Sequence, residues 1–187
     1  MILIEPTIQV RFGRSVRRRA LAAFLEEAAQ AARLRGEVSV LLAGDRRLRR
    51  LNREYRQKDQ PTDVLSFPAT PLLPRSGGNG PGPEPGRPAV AGDLAISVET
   101  AARQAAEFGH PLAAELQTLI LHGVLHLAGY DHEYDAGRMA RKEAALRRRF
   151  GLATGLIERS GKAADAKSGQ IGGSRRKRAG ARGGGRS

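Results

Sequence analysis

The chain has 187 residues, no cysteine and a formal net charge of +13. This length predicts one domain with a genuine hydrophobic core. The absence of cysteine excludes disulfides and thiolate metal ligands, and it fits a reducing cytoplasm. The N-terminal sequence MILIEPTIQV has no basic leader, and no apolar run is long enough for a signal peptide or a membrane span. We therefore expect a soluble, cytoplasmic protein.

The first half of the chain predicts strands that alternate with helices. Residues 2–10 are rich in β-branched side chains and predict a strand, in which Pro6 suggests an edge position or an irregularity. Ser15 is a candidate cap for a helix that extends to about Leu34. The other elements of this half are a strand at 38–42, a short basic helix RRLRRLNREYR capped by Asp45, and a strand at 64–67.

The second half predicts a long loop, one strand and three helices. Residues 70–91 are dense in proline and glycine, which predicts a loop inserted between two strands. A flap that contacts the substrate is the alternative interpretation of this loop. The regular elements that follow are a strand at 94–97 and helices at about 98–107, 112–128 and 135–150.

The positive charge is concentrated at the C-terminal end of the chain. Residues 159–187 contain nine lysines and arginines but one aspartate, and they are poor in apolar side chains. We therefore divide the chain into a domain at 1–158, which is only moderately basic, and a disordered basic tail at 159–187. Polyanions bind such surfaces by counterion release, so nucleic acid is the natural partner. The alternative to nucleic-acid binding is that the basic tail and the basic surface of the domain only keep the protein soluble.

Three histidines stand in the run HGVLHLAGYDH, with the spacing H-x-x-x-H-x-x-G-x-x-H. His122 and His126 are four residues apart and project from one face of a helix. Gly129 can take the left-handed conformation that ends a helix, so that the chain turns back and brings His132 toward the other two. Three imidazoles around an open fourth position are typical of a catalytic zinc site.

Ordinary histidines in a helical segment are the alternative interpretation. The glycine and the third histidine at this spacing make the metal site the favoured one. The helical phase agrees, because the apolar residues of the segment form a stripe beside which His122 and His126 fall. The stripe consists of Leu112, Leu116, Leu119, Ile120 and Leu127. His110 lies too far from the triad to be a ligand, and we expect it to cap or pack locally.

The position after the first histidine argues against a peptidase. Zinc peptidases with this spacing carry a glutamate there, which acts as the base for the attacking water. This chain has Gly123 instead. A metal-dependent hydrolase that obtains its base elsewhere remains.

Three separated motifs together resemble the YbeY family of bacterial endoribonuclease-type rRNA maturation factors. They are LNREYRQKDQPTDVLSFP from Leu51, GDLAIS from Gly92 and the histidine run, in that order. The resemblance covers roughly residues 1–155, and its histidine motif is highly specific. The tail lies outside it.

The resemblance implies a fold, a cofactor and a function. The fold is α+β, with a small mixed sheet of about four strands packed by about five helices and a zincin-like metal helix. One zinc ion per chain is held by His122, His126 and His132. The implied activity is single-strand-specific RNA cleavage in rRNA maturation, notably at the 3′ end of the small-subunit RNA, and in ribosome quality control. The implied partners are ribosomal RNA and the small ribosomal subunit with its assembly factors. No membrane and no small-molecule cofactor are expected.

The resemblance also implies a functional arginine, which is Arg56 in the YR of the LNREYR motif. A guanidinium group suits this role, since its planar fork fits phosphoryl oxygens and stays charged at every working pH. Arg53, one turn earlier, is the second choice. A surface arginine on a basic helix is the alternative.

The general base stays open at this point. Asp131 could orient an imidazole or accept a proton, while Asp63 and Asp93 are weaker candidates. The nucleophile is either water or the 2′-hydroxyl of the RNA. Two other classes of function also stay open: a metal hydrolase of another substrate, such as a peptide or small ester, and a non-catalytic ribosome-assembly factor.

Overall fold

The computed structural model describes residues 1–69, 89–131 and 135–152. In chain order the elements are β1 (Ile2–Ile4), α1 (Pro6–Phe12), α2 (Arg18–Ala32), β2 (Glu37–Ala43), α3 (Asp45–Arg56), β3 (Val64–Pro68), β4 (Val90–Ser97), α4 (Val98–Phe108), α5 (Leu112–Leu127) and α6 (Arg138–Phe150). No helix in this part of the chain is both long enough and apolar enough to cross a membrane.

The four strands form one mixed sheet in the order β1-β2-β4-β3. The strands β1, β2 and β4 run parallel, with Val40 opposite Leu94 in the central pair. The strand β3 lies antiparallel to β4, with Phe67 opposite Asp93. The predicted α+β fold with a small mixed sheet is therefore confirmed, and the described ranges contain six helices rather than about five.

The two faces of the sheet carry different layers. Alternate residues of β2 and β4, such as Val40 and Ile96, join the larger hydrophobic core with α2 and α5. The residues between them, such as Ala43 and Ala95, join a smaller cluster with Leu48 of α3. Because successive side chains of a strand point to opposite faces, α5 and α3 lie on opposite faces of the sheet.

The helix α5 is the most deeply buried helix of the fold. Leu116, Leu119 and Ile120 of the predicted stripe are fully buried, as is nearly every residue from Glu115 to Leu127. A helix that is apolar on most sides belongs inside a core. The predicted helix at 112–128 is thus confirmed, and it packs against the sheet.

The prediction of a strand over residues 2–10 was wrong after the first residues. The strand β1 ends at Ile4, and Pro6 opens the helix α1. Proline is favoured at the first helical position because its fixed φ suits the helix and its missing N–H is not needed there. Ile8 is 2 % exposed and Val10 is 89 % exposed whereas a strand would place both on one face.

Several other predicted boundaries shifted, and α6 begins at Arg138 rather than at about residue 135. The helix α2 is capped by Arg17 rather than Ser15 and ends at Ala32. Asp45 is the first residue of α3, with Gly44 at the cap position. The last two residues of the predicted 70–91 loop belong to β4, while 70–88 lie outside the described residues, as does the predicted tail at 159–187.

Candidate functional site

The helix α5 ends two residues before Gly129, which adopts a left-handed conformation with φ 85°. The Tyr130 N–H donates to the Leu125 carbonyl and the Gly129 N–H donates to the His126 carbonyl. These two bonds define a Schellman motif, which requires a left-handed residue at the glycine position. The predicted helix stop at Gly129 is confirmed, and it lies three residues after His126.

His122 and His126 meet at the end of this helix. Their Nε2 atoms are 3.1 Å apart, and their rings meet edge to face with centroids 4.7 Å apart. His122 is buried and His126 is half-buried. The two imidazole nitrogens therefore converge on one point at the margin of the core.

Glu143 of α6 fixes the ring of His122. Its Oε2 atom lies 3.0 Å from Nδ1 of His122, and its side chain is 2 % exposed. A buried carboxylate needs a donor, and Nδ1–H supplies one. This tautomer leaves the Nε2 lone pair of His122 directed toward His126, as histidines that bind metals through Nε2 require.

Sequence reasoning missed Glu143 and considered Asp131 for the role of orienting an imidazole. A signal was present, because Glu143 lies four residues after Met139 and three before Leu146, on the buried stripe of α6. A carboxylate on an apolar stripe needs a buried partner. The neighbouring helix could not be identified from the sequence, since 21 residues separate Glu143 from His122.

The two described histidines of the predicted triad fit a zinc ion. Two Zn–N bonds of about 2.0–2.1 Å at a tetrahedral angle place their nitrogens about 3.3 Å apart, close to the 3.1 Å between the Nε2 atoms of His122 and His126. The third predicted ligand, His132, lies outside the described residues. Within 1–69, 89–131 and 135–152 no group of three or more potential ligands occurs.

The tight packing of α5 explains the glycine after the first histidine. A Cβ atom on Gly123 would come within 2.7 Å of Cδ2 of Leu94 in β4. The position faces the sheet and is buried, so it cannot present a carboxylate to the histidine pair. The base of a peptidase is therefore excluded from this position by packing as well as by residue type.

The other candidate acids have separate surroundings. Asp63 accepts hydrogen bonds from the Val64 N–H and from Nε2 of Gln104, which gives it a structural role at the start of β3. Asp93 lies opposite Phe67 and lines a cavity of about 530 Å³ on the sheet face that carries α3. His110 packs locally as expected, with Nε2 3.0 Å from Oε2 of the buried Glu115.

Arg56 is the last residue of α3 and is exposed. It forms no hydrogen bond or ion pair with the residues that the structure describes. Its neighbour Tyr55 packs edge to face on Phe67, with ring centroids 5.1 Å apart. On the other face, Leu127 reaches the backbone of Gly92, which pairs with Pro68. The C-terminal ends of α3 and α5 thus flank the same end of the β3–β4 pair.

A converging histidine pair on a buried helix, oriented by a carboxylate, is the kind of arrangement that metal-dependent hydrolases use. The sequence model of the family described as Endoribonuclease YbeY matches residues 7–151. The chain belongs to this family, whose members are hydrolases of RNA phosphodiester bonds. The resemblance carried by the LNREYR, GDLAIS and histidine motifs is thereby confirmed.

Several bacterial proteins named Endoribonuclease YbeY are similar to the chain. The protein of Koribacter versatilis is 46% identical over 149 residues, which are 80% of this chain and 88% of that protein. The protein of Anaeromyxobacter dehalogenans is 48% identical over 162 residues, which are 84% and 76% of the two chains. The protein of Solibacter usitatus is 53% identical over 119 residues, which are 64% and 69%.

Proposed function

We propose that this chain is a zinc-dependent, single-strand-specific endoribonuclease that matures ribosomal RNA. The observation that carries the zinc assignment is the convergence of the Nε2 atoms of His122 and His126, with Nδ1 of His122 held by Glu143. Membership of the family supplies the RNA substrate. The 3′ end of small-subunit rRNA is the target that the resemblance implies, together with a role in ribosome quality control.

One zinc ion per chain would be held by His122, His126 and His132. When bound, it would lower the pKa of a water molecule and polarise a phosphoryl oxygen. Exclusively imidazole ligands keep the site cationic, which suits a phosphodiester substrate. Glu143 acts on this site by keeping the proton on Nδ1 of His122, so that Nε2 stays available as a ligand.

Arg56 would neutralise the negative charge that develops on the phosphoryl oxygens. Two features of its position support this role: the side chain is exposed, and it makes no ion pair with the described residues that a phosphate would have to break. The fork of a guanidinium group can bind two phosphoryl oxygens at once. The helix that carries it ends beside the same strand pair as α5.

The small ribosomal subunit and its assembly factors are the proposed partners, and the cytoplasm is the proposed location. The chain would reach RNA there while the subunit is still being assembled. Ribosomal RNA offers both the single strands and the phosphate charge that a basic chain of net charge +13 attracts.

A substrate panel with the purified chain tests the proposal. We expect cleavage of single-stranded RNA, including a fragment that spans the small-subunit 3′ end, and little cleavage of a matched duplex or of single-stranded DNA. A peptide and a small ester serve as controls. Turnover of the ester or peptide without RNA cleavage would indicate a different hydrolase, and no turnover of any substrate by the zinc-loaded chain would indicate an assembly factor.

A further inference from the structure

The outer face of α3 carries a stripe of arginines. Arg46, Arg49, Arg50 and Arg53 are all exposed, and their spacing of three and four residues places them on one side of the helix. The opposite side carries Leu48, which is fully buried in the smaller core cluster. The arginines therefore face away from the sheet, in the layer opposite to the histidine helix.

These arginines line a groove between α3 and α1. The groove has a volume of about 800 Å³, and six arginines line it against three carboxylates. The charged lining residues are Arg11, Arg46, Arg47, Arg49, Arg50, Arg53, Glu5, Asp59 and Glu99. Its net charge is therefore positive.

The three carboxylates are already engaged. Asp59 accepts two hydrogen bonds from Arg49, at 2.9 and 2.8 Å, and these bonds lower the pKa of the Asp59 carboxyl. Glu99 accepts from Arg11 at 2.7 Å and from the Asp45 N–H. Glu5 accepts from the Gly44 N–H. Asp59 also lies 4.0 Å from Nη1 of Arg53. Within the described residues, none of the three carboxylates forms an ion pair with the remaining arginines of the groove.

Three arginines of the groove keep their charge unpaired. Arg46, Arg47 and Arg50 make no ion pair with any residue in the described ranges, and the buried Nε atom of Arg47 has no hydrogen-bond partner there. Arg46 and Arg50 are four residues apart, where like charges destabilise a helix. Repulsion between these arginines destabilises the free protein. Their presence is explained if a bound anion offsets their charge.

We propose that the arginine face of α3 binds the phosphates of single-stranded RNA and guides the strand toward Arg56, an inference that rests on the proposed RNA substrate. The stripe continues from Arg53 to Arg56 by a step of three residues. From Arg46 to Arg56 the helix rises by about 15 Å. That length matches several phosphates of one strand, which rise by about 3.4 Å each when the bases are stacked.

The chemistry of the face favours RNA over a protein partner. Protein interfaces combine arginines with buried aromatic or apolar anchors. The lining of this groove contains no aromatic side chain, and its one large apolar residue, Ile8, is already buried in the core. Tyr55, the exposed aromatic residue of α3, points to the sheet side, where it packs on Phe67. Binding through guanidinium groups alone predicts contact with the backbone and no preference for base sequence.

The test compares paired substitutions in the full chain. Binding of a fluorescent 20-nucleotide oligouridine is measured in chelator across a salt series, with gels to show that the RNA stays intact. The test protein is Arg46→Ala/Arg50→Ala. The matched control is Arg19→Ala/Arg35→Ala, which removes two exposed arginines from the α2 side of the molecule. The variant Arg46→Lys/Arg50→Lys keeps the charge, and circular dichroism checks folding.

We expect Arg46→Ala/Arg50→Ala to weaken binding roughly 10–30-fold at 0.1 M salt and to reduce the salt slope by about 1.4, since each lost phosphate contact in a single strand removes about 0.7. The lysine pair should retain most of the affinity, and the α2 control should change the slope little. Equal losses in the test and control variants, or no loss in either, would overturn the assignment of this face.

Cleavage of the same RNA with zinc present separates this inference from the proposed function. If the wild type cleaves the RNA but the arginine substitutions leave binding unchanged, the RNA-binding role of the α3 face is refuted and the endoribonuclease activity stands. If binding depends on the arginines but the RNA is not cleaved, the proposed endoribonuclease activity is refuted and the RNA-binding role of the α3 face stands. A wild type that neither binds nor cleaves the RNA contradicts both.

Discussion

At the scale of single residues, two contacts of His122 support the proposed zinc site. His122 has one buried carboxylate on Nδ1 and the imidazole of His126 beside Nε2. A ring held at both nitrogens cannot flip without losing a contact. We therefore propose that Glu143 is a positioning residue, which would act on the zinc ion through His122.

Replacing Glu143 with glutamine tests this role. The amide keeps the shape of the side chain but loses the charge that stabilises Nδ1–H, so zinc should bind about 10–100-fold more weakly. Titration with a competing chelator measures the affinity directly. Glu26→Gln, an exposed site on α2, is the matched control. Wild-type zinc affinity in Glu143→Gln would show that the carboxylate only fills space.

Arg56→Ala should lower RNA cleavage about 100–1000-fold at saturating RNA, the range observed when a donor to a developing charge is removed. Its zinc content and melting temperature should stay those of the wild type, because the side chain is exposed and unpaired within the described chain. Arg56→Lys should rescue only in part, since an ammonium lacks the bidentate fork.

Arg53→Ala is the comparison for Arg56. Arg53 lies one turn earlier on the proposed RNA-binding face, with its Nη1 atom 4.0 Å from Oδ1 of Asp59. We expect it to raise the RNA concentration needed for saturation and to leave the maximal rate nearly unchanged. The reverse pattern, with Arg53 controlling the maximal rate, would transfer the catalytic role to that residue.

At the scale of secondary structure, the sequence predicted elements with long and regular patterns and failed where patterns were short. The helix α5 and its stop at Gly129 were predicted because periodicity, the histidine spacing and the glycine agree. The segment 2–10 failed because β-branched residues favour strands while Pro6 favours a helix start. Tertiary packing decided it, since burying Ile8 requires the turn of α1.

The contact between α5 and β4 gives a prediction about an element. Gly123→Ala should destabilise the fold by about 1–3 kcal/mol, the usual cost of overpacking, because its Cβ would lie 2.7 Å from Cδ2 of Leu94. Helix propensity alone would make Gly123→Ala stabilising, because alanine favours a helix by about 1 kcal/mol over glycine. A loss of stability would therefore show that the clash with Leu94 outweighs this gain. Thermal and denaturant unfolding measure it.

The control for Gly123 is the same substitution in a Leu94→Ala background. Removing the leucine side chain makes room for the new methyl group, so Gly123→Ala should there be neutral or stabilising. A double-mutant cycle then gives the coupling energy between the two positions. Additive effects would mean that α5 moves away from the sheet and that Gly123 is not needed for close packing.

At the scale of the whole molecule, the sheet separates the layer of the proposed zinc site from the layer of the proposed RNA-binding face. The layer with α5 and α6 holds the histidine pair, and the layer with α3 holds the arginine face. Composition predicted a basic protein, but it did not predict that the histidines and the arginines lie on opposite faces of the sheet. The strand order decides on which face each helix packs. The strand order β1-β2-β4-β3 could not be derived from the sequence patterns alone.

Deleting residues 159–187 should leave the fold and the zinc content intact, since the family match ends at residue 151. The tail carries nine basic residues and one acidic residue. Its loss should weaken RNA binding and flatten the salt dependence, because fewer counterions are released. The rate of cleavage of a short RNA at saturation should change little. Identical salt slopes for the two proteins would mean that the tail only solubilises the chain.

Zinc content measured together with RNA cleavage, for the wild type and for His126→Ala, decides whether the histidine pair holds a catalytic metal ion. We expect one zinc per chain and cleavage for the wild type. His126→Ala should lose both sharply, because a site with three protein ligands has no spare ligand. His110→Ala, a histidine outside the pair, should keep both. Full zinc content and wild-type cleavage in His126→Ala would show that His126 neither binds zinc nor takes part in cleavage.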